Sequence, residues 1–306
     1  MDVKRCSGTV ISIPQGKHKI SALFYHIVNE KEHLENKPVI LRLHGTLGNF
    51  MDESEHYLPR ALAEQGYSSL TMNTLLANLG IFFGFGIYDK VMPQIDAVCD
   101  FLLTVGFKKI VIAGHGLGGC MAVQYASLRN DPVKYPHIVG AIAISTPYSL
   151  PDTVRRKWEK FNGTPTYDEV YDKAKKVCEP APGEEPAEDE IVVIRKAHGS
   201  TMLPKDSEVY TLKTWWSMAG PEAEGTKTYK HIGKIKVPIL ITCGLKDEYI
   251  KPDEFEQLVK IAEDGESKSV RRVALDGNHM LEGKHGELGG AITKWLNEEC
   301  EKRWEK

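Results

Sequence analysis

Residues 108–120 read KKIVIAGHGLGGC, and this stretch decides the fold. Its first part, KKIVIAG, is a short apolar run that ends in glycine, which is typical of a strand buried in a parallel sheet. The small and apolar residues at 120–130 follow closely and predict a helix. Between them, Gly114 and Gly118 permit a tight turn, because a Cβ at either position would come too close to neighbouring backbone. The stretch therefore predicts a strand, a sharp turn and a helix in immediate succession.

Outside this stretch, apolar runs and helical patterns alternate along most of the chain. Further strands are predicted at 7–13, 19–28, 39–45, 68–73, 138–145, 237–244 and 269–275, and further helices at 54–66, 91–106, 252–264 and 286–303. Strands that alternate with helices of this length predict an α/β protein with a mostly parallel central sheet and helices on both faces. The first two strands, joined by a Pro-Gln-Gly turn, predict an antiparallel hairpin at one edge.

One segment, residues 148–234, interrupts this alternation. Its aromatic-rich helical patterns lie at 154–161, 167–177 and 210–218. The tract EPAPGEEPAEDE at 179–190 is too acidic and too rich in proline to pack, and it predicts a solvated loop. Because sheet strands resume after the segment, we predict a core of residues 1–147 and 235–306. Residues 148–234 would form a helical cap, or lid, inserted over the carboxyl edge of the sheet.

The composition favours neither a nucleic-acid partner nor a membrane partner. The chain has 39 Lys and Arg against 42 Asp and Glu, a net charge of −3, so no basic excess is present to attract phosphates. The most apolar stretch, 75–88, is too short and too interrupted by glycine to span a bilayer. The first residues contain no apolar signal segment, and the six cysteines are scattered, which is typical of free thiols in a reducing compartment. We therefore expect a cytoplasmic protein, and the sequence leaves its oligomeric state open.

Residues able to do chemistry follow several of the predicted strands. Gly116 stands at the centre of the tight turn after KKIVIAG, where a side chain would be pushed out over the sheet. Asp247 lies just past the strand VPILITCG, and His279 lies just past the strand VRRVAL. Upstream, the loop HGT that ends at Thr46 follows the strand VILRL. Because parallel strands end at the same edge of a sheet, we expect these residues to lie close together.

These four elements, in this order, resemble the α/β-hydrolase superfamily in its branch of cap-bearing esterases, lipases and thioesterases. The resemblance covers residues 7–146 and 235–303 and leaves the inserted segment unmatched. It implies hydrolysis of an ester, thioester or amide through an acyl-enzyme, without a metal and without an organic cofactor.

The resemblance also implies a role for each residue at the sheet edge. Position 116 would be that of the attacking serine, His279 would be the general base and acid, and Asp247 would hold the imidazole. The backbone N–H groups of Thr46 and Leu117 would form the oxyanion hole.

The sequence departs from this family at Gly116, which has no side chain that could attack a carbonyl. One interpretation is an introduced replacement of serine by glycine, because Asp247 and His279 are both retained. A second is a naturally non-hydrolytic lyase, isomerase or cyclase, in which the same two residues move protons. A third is a pseudo-hydrolase that only binds a ligand. The sequence leaves all three open.

Aromatic residues of the inserted segment and of the 75–88 stretch are candidates for the wall of a substrate pocket. They are Phe82, Phe83, Phe85, Tyr88, Tyr148, Trp158, Trp215 and Trp216. Such a wall would suit a small-molecule substrate with a sizeable apolar or acyl portion. Cys120 is expected to pack between helix and sheet and not to replace the missing nucleophile. His115 is expected to point away from the cleft.

Overall fold

Eight described strands form one central sheet in the computed structural model, which describes residues 6–27, 36–79, 84–195 and 207–301. With the separate pair β7 and β8, the described strands are β1 (Cys6–Gln15), β2 (His18–Ile27), β3 (Val39–Leu43), β4 (Ser69–Met72), β5 (Ile110–His115), β6 (Ile138–Ile144), β7 (Ile191–Arg195), β8 (Ser207–Thr211), β9 (Ile239–Gly244) and β10 (Val270–Leu275). The helices are α1 (Glu53–Glu64), α2 (Met92–Val105), α3 (Leu117–Leu128), α4 (Leu150–Lys160), α5 (Tyr167–Cys178), α6 (Leu212–Ala219), α7 (Pro252–Glu263) and α8 (His285–Trp295).

The order of the strands across the central sheet is β1-β2-β4-β3-β5-β6-β9-β10. From β4 to β10 every neighbouring pair is parallel, whereas β2 pairs antiparallel with both β1 and β4. This confirms the prediction of an α/β protein with a mostly parallel sheet and an antiparallel hairpin at one edge. The carboxyl ends of β3, β5, β9 and β10 consequently lie on the same side of the sheet.

Alternate residues of the central strands pack against helices on opposite faces of the sheet. In β3, Leu41 belongs to the buried cluster that contains side chains of α2 and α3, whereas Ile40 belongs to the cluster that contains side chains of α1 and α8. The same division separates Ile112 from Val111 in β5. All of these strand residues are fully buried, because both faces of a parallel sheet are covered.

The inserted segment 148–234 contains helices α4, α5 and α6, as the sequence predicts, together with two strands that it does not predict. Strands β7 and β8 pair antiparallel with each other, outside the central sheet. The sequence predicts a helical segment here, and the strand pair is an addition that it does not predict. A strand of five residues is stabilised by its partner, and nothing local in the sequence identifies that partner. The acidic tract 179–190 is largely exposed and contains neither helix nor strand, as predicted.

Three aromatic side chains, one from each helix of the insertion, form its interior. We call Trp158, Tyr167 and Trp215 the aromatic cluster. Their ring centroids are 5.2 to 6.2 Å apart and the rings meet edge to face. This arrangement is favourable because the positive edge of one ring faces the negative face of another. The indole of Trp158 also donates a 2.8 Å hydrogen bond to the carbonyl oxygen of Pro165.

The insertion is attached to the core through Arg156 of α4. Its guanidinium lies 2.8 Å from the carboxylate of Glu254 in α7 and donates a 3.3 Å hydrogen bond to the carbonyl oxygen of Tyr249. Both partners belong to the part of the chain that follows β9, so this contact fixes α4 beside the sheet edge where β9 ends.

None of the helices in the described part of the chain has the length and apolar character needed to cross a membrane.

Candidate active site

The turn between β5 and α3 is held by glycines that leave no room for a side chain. A Cβ at Gly114 would lie 2.0 Å from the carbonyl oxygen of Gly118, and a Cβ at Gly118 would lie 2.1 Å from that of Leu43. Both distances are far below van der Waals contact, so any other residue would push strand and helix apart. Close backbone packing therefore fixes the turn, which has its centre at Gly116.

Gly116 has a backbone conformation that residues with a side chain rarely adopt, with φ 55° and ψ −118°. It immediately precedes α3, whose first residue is Leu117. Its N–H donates to the carbonyl oxygen of Ile144 in β6 at 2.9 Å. A Cβ on this residue would have a single close neighbour, the Nε2 atom of His279, at 3.5 Å. The space above Gly116 therefore faces the imidazole of His279.

His279 is braced by Asp247 from the side opposite Gly116. The Nδ1 atom of His279 lies 2.8 Å from Oδ2 of Asp247, and the Asp247 side chain is 1% exposed. Because an ionised carboxylate can only accept, Nδ1 is the donor in this hydrogen bond, and in the neutral imidazole Nε2 is the acceptor that faces Gly116. The structure thus brings together Gly116, His279 and Asp247, which are far apart in the sequence.

Two opposing effects act on the pKa of Asp247. Burial raises it, but the hydrogen bond from His279 and those from the N–H groups of Ile250 and Tyr249 stabilise the carboxylate. The two N–H groups both donate to Oδ1 at 2.9 Å. The net result is a pKa below the ordinary value, so this carboxylate is ionised at neutral pH.

Further contacts hold the His279 backbone and ring. Glu248, which follows Asp247, accepts a 3.1 Å hydrogen bond from the N–H of His279. His115 lies with its ring centroid 4.7 Å from that of His279, and its Nε2 is 3.0 Å from the carbonyl oxygen of His279. His115 also lines the cavity described below, which contradicts the expectation that it points away from the cleft. The position of His115 next to Gly116 in the sequence does not predict its contact with His279, because His279 is distant in the chain.

Thr46 and Leu117 are the two residues that the sequence predicts for the oxyanion hole. Both residues line the cavity that contains Gly116 and His279. Within the described part of the chain, no hydrogen bond uses either N–H as its donor. The close contact of Gly118 with the Leu43 backbone brings the turn against the loop that carries Thr46.

A cavity of about 260 Å³ lies between the sheet edge and the insertion. The core contributes the residues around Gly116 and His279, and the insertion contributes residues of α4, β8 and α6. Of the predicted aromatic wall, Trp215 lines this cavity. Tyr210 and Tyr249 also line it and were missed, because no motif marks an aromatic residue for this position.

The other predicted wall residues that the structure describes are not among those that line the cavity. Trp158 is fully buried in the aromatic cluster, Tyr148 stacks on Tyr229 at 4.6 Å and Trp216 stacks on Tyr171 at 5.7 Å. Tyr88 is buried, and Phe85 is exposed on the surface. Phe82 and Phe83 lie outside the described residues. The aromatic residues of the insertion mainly pack against one another, because that buries more apolar area than an open cavity wall does.

Cys120, four residues after Gly116, does not replace the missing nucleophile. Cys120 is buried, its thiol lies 3.4 Å from the hydroxyl of Thr228, and burial raises its pKa to about 12. A thiol with that pKa is protonated at neutral pH and therefore unreactive. Within the described ranges, no group of His, Cys, Asp or Glu has the arrangement of a metal site.

Comparison with known proteins finds similarity in structure only. No protein-family sequence model matches the chain, and no curated protein matches it in sequence. The solved structures that match include esterase Est1E from Butyrivibrio proteoclasticus, with 16% identity, a TM-score of 0.64, and coverage of 95% of this chain and 98% of that one. The esterase Pf2001 from Pyrococcus furiosus has 15% identity, a TM-score of 0.66, and coverage of 96% and 92%. The thioesterase domain from the curacin biosynthetic pathway has 17% identity, a TM-score of 0.54, and coverage of 95% and 99%. Likeness at this level of identity concerns the fold.

Proposed function

Because the chain has the α/β-hydrolase fold, we propose that the site around His279 is that of a serine-type hydrolase in which position 116 is the position of the nucleophile. In this proposal the parent chemistry is hydrolysis of a carboxylic ester, thioester or amide. The glycine at 116 leaves the rest of the machinery in place and removes the attacking group. The insertion acts as a cap that forms one wall of the substrate cavity.

One distance carries the proposal. A Cβ built on Gly116 lies 3.5 Å from Nε2 of His279, and this is its only close contact. A serine hydroxyl attached to that Cβ could therefore reach hydrogen-bond distance of Nε2. A pocket that had evolved around glycine for packing alone would have no reason to leave a space of this size in front of a histidine–aspartate pair.

The mechanism proposed for a serine at 116 follows from this geometry. Nε2 of His279 takes the hydroxyl proton as the oxygen attacks the carbonyl carbon, and Asp247 stabilises the imidazolium that forms. The N–H groups of Thr46 and Leu117 stabilise the negative charge on the carbonyl oxygen. His279 then donates its proton to the leaving alcohol, thiol or amine, and a water molecule activated by the same nitrogen releases the acid.

With glycine at 116, no acyl-enzyme can form. A water molecule beside Nε2 of His279 is then the one nucleophile that the dyad can activate, and direct hydrolysis by such a water is slow. Loss of the nucleophile in an enzyme of this type costs on the order of 10⁶ in turnover. We therefore propose that the chain binds its substrate and hydrolyses it poorly.

The test is the variant Gly116→Ser, compared with Gly116→Ala as the matched control. Both variants carry the same backbone penalty, but alanine has no nucleophile. We expect Gly116→Ser to hydrolyse p-nitrophenyl acetate and to be labelled once by a fluorophosphonate, as seen in its intact mass. Gly116→Ala should do neither, and Gly116→Ser/His279→Ala should lose the labelling.

Three results would contradict the proposal. Folded Gly116→Ser that is neither labelled nor active would remove the serine-hydrolase assignment. If the unaltered chain instead converts a substrate and loses that activity in His279→Ala, the dyad serves a non-hydrolytic lyase, isomerase or cyclase. Ligand binding that persists in His279→Ala, with no turnover in any variant, would indicate a binding protein.

A further inference from the structure

The inserted segment contributes two charged side chains to the lining of the cavity. Lys157 of α4 and Glu208 of β8 both line the cavity, with Nζ and Oε1 3.6 Å apart. Their side chains are 28% and 13% exposed. The hydroxyl of Tyr210 donates a 3.2 Å hydrogen bond to the other carboxylate oxygen of Glu208. An ammonium and a carboxylate therefore stand side by side at the wall of a largely enclosed space.

Lys157 is linked to His279 through the ring of Tyr249. The Nζ atom of Lys157 is 4.6 Å from the centroid of the Tyr249 ring, and the Tyr249 ring is 5.0 Å from the ring of His279. The distance from Nζ to the His279 ring therefore cannot exceed the sum of these two contacts. The ring of Tyr249 therefore contacts both the Lys157 ammonium and the His279 imidazole.

We propose that Lys157 and Glu208 together bind a neutral hydrogen-bonding group, such as a hydroxyl, at the far end of the leaving alcohol of a small ester. This inference rests on the proposed function. It assigns a specificity site to residues of the insertion, whereas the residues that would act on the scissile bond belong to the core.

The charge of the pair decides the chemistry of the group that it binds. A hydroxyl can accept a hydrogen bond from the Lys157 ammonium and donate one to the Glu208 carboxylate at the same time. A carboxylate would be attracted by Lys157 and repelled by Glu208, and a methyl group could form a hydrogen bond with neither residue. A neutral group that both donates and accepts is therefore the best match.

The position of the pair decides which half of the ester it contacts. The group that protonates the leaving oxygen must lie next to it, and in this site that group is Nε2 of His279. The leaving alcohol therefore extends on the His279 side, past Tyr249 and towards Lys157. The cavity of about 260 Å³ is smaller than the roughly 300–1,000 Å³ of sites for drug-sized ligands, so the whole substrate is small.

The experiment uses three acetate esters that differ only at the end of the alcohol. They are 6-hydroxyhexyl acetate, heptyl acetate and 6-acetoxyhexanoate, which end in a hydroxyl, a methyl and a carboxylate group. We expect Gly116→Ser to hydrolyse the hydroxyl ester with a kcat/KM about tenfold above that of heptyl acetate, as a charge-assisted hydrogen bond implies. 6-Acetoxyhexanoate should be the poorest substrate of the three.

Two substitutions in the Gly116→Ser background separate recognition from a merely structural ion pair. Lys157→Met should abolish the preference for the hydroxyl ester. Glu208→Gln should raise kcat/KM for 6-acetoxyhexanoate, because the remaining Lys157 charge then attracts the carboxylate. A purely structural pair would instead lower the rates for all three esters equally. Lys160→Met, at an exposed position on the same helix, is the matched control and should leave the order of the esters unchanged.

Binding to the unaltered chain separates this inference from the proposed function. Saturation-transfer NMR titrations should give tighter binding of 6-hydroxyhexyl acetate than of heptyl acetate. If this preference persists while Gly116→Ser is inactive, the proposed function fails and the recognition site stands. Hydrolysis without any preference, in turnover and in binding, would overturn the recognition site. A preference seen only with ethyl 6-hydroxyhexanoate over ethyl heptanoate would overturn its assignment to the leaving group.

Discussion

The turn at Gly114–Gly118 and the aromatic cluster of the insertion each contribute to the lining of the same cavity, through Gly116 and Trp215, but opposite physical effects hold them in place. In the turn, positions are fixed because side chains are absent and backbone atoms touch. In the cluster, they are fixed because three large rings, Trp158, Tyr167 and Trp215, fill one another's space. The turn therefore tolerates no added side chain at its glycines, whereas the cluster depends on the presence of all three rings.

This difference explains why the two regions are so unequally visible in the sequence. Backbone contact permits only glycine at fixed positions, so it leaves a short and specific pattern around residue 116. Ring packing can be achieved by many combinations of apolar residues, so in the sequence it is visible only as a composition rich in such residues and not as a fixed pattern. Four predictions test the comparison, from the largest expected effect to the smallest.

The largest effect is expected for Gly118→Ala. The new Cβ would lie 2.1 Å from the carbonyl oxygen of Leu43, so β3 and α3 would have to separate. We expect the free energy of unfolding, measured with urea, to fall by roughly 4 kcal/mol or more. The control is Gly183→Ala in the insertion, where φ is 89° and no atom lies within 4 Å of the new Cβ. It should cost only about 1–2 kcal/mol, the penalty of the left-handed conformation. Equal losses would show that backbone contact does not fix the turn.

Removal of a ring from the aromatic cluster should have the next largest effect. Trp158→Ala deletes a fully buried side chain and should lower the free energy of unfolding by about 3 kcal/mol or somewhat more. Because the cluster belongs to the insertion, faster amide exchange should be confined to α4, α5 and α6. Trp216→Ala, which removes a half-buried ring stacked on Tyr171, is the control and should cost less. Faster exchange throughout the central sheet would contradict the separation of the two regions.

Any side chain at position 116 should cost stability even if it restores activity. Gly116 has φ 55° and ψ −118°, a conformation whose strain in other residues is about 1–3 kcal/mol. We expect both Gly116→Ser and Gly116→Ala to lower the unfolding free energy by that amount. Gly290→Ala is the control, because it lies within α8 with open space around its Cβ and should be neutral or stabilising. A Gly116→Ser variant that is more stable than the parent would contradict a strained turn.

The smallest effect concerns the pH dependence that Asp247 contributes. Its pKa is lowered in the folded chain by hydrogen bonds from His279 and from two backbone N–H groups, which outweigh the opposing effect of burial. A lowered pKa stabilises the fold above the unfolded pKa of about 3.9, and this stabilisation is lost as pH falls through the folded pKa. The stability difference between the parent and Asp247→Asn, measured by urea unfolding, should therefore narrow below about pH 4. A constant difference down to pH 2 would show that the carboxylate is not stabilised in this way.

The inserted segment shows where sequence-based prediction failed and why. Its helices were predicted, but β7 and β8 were not, because each of these strands depends on the other. Tyr148, Trp158 and Trp216 were predicted to wall the cavity, yet the structure packs them elsewhere. Lys157 also lies beside the site, although the sequence shows few basic residues near the strand-end loops. Each of these outcomes depends on which side chains meet across the fold, and no local pattern encodes that.

The sequence by itself determined the α/β sheet, the tight turn between Gly114 and Gly118, and the order of Gly116, Asp247 and His279 along the chain. It could do so because strand and helix periodicity and the steric demands of a tight turn act on neighbouring residues. Only the tertiary structure decided that Nε2 of His279 faces the space above Gly116, that His115 packs on His279, and that Lys157 and Glu208 meet at the cavity wall. Those distances join residues brought together by the whole sheet and by the docking of the insertion, so they depend on every element between them.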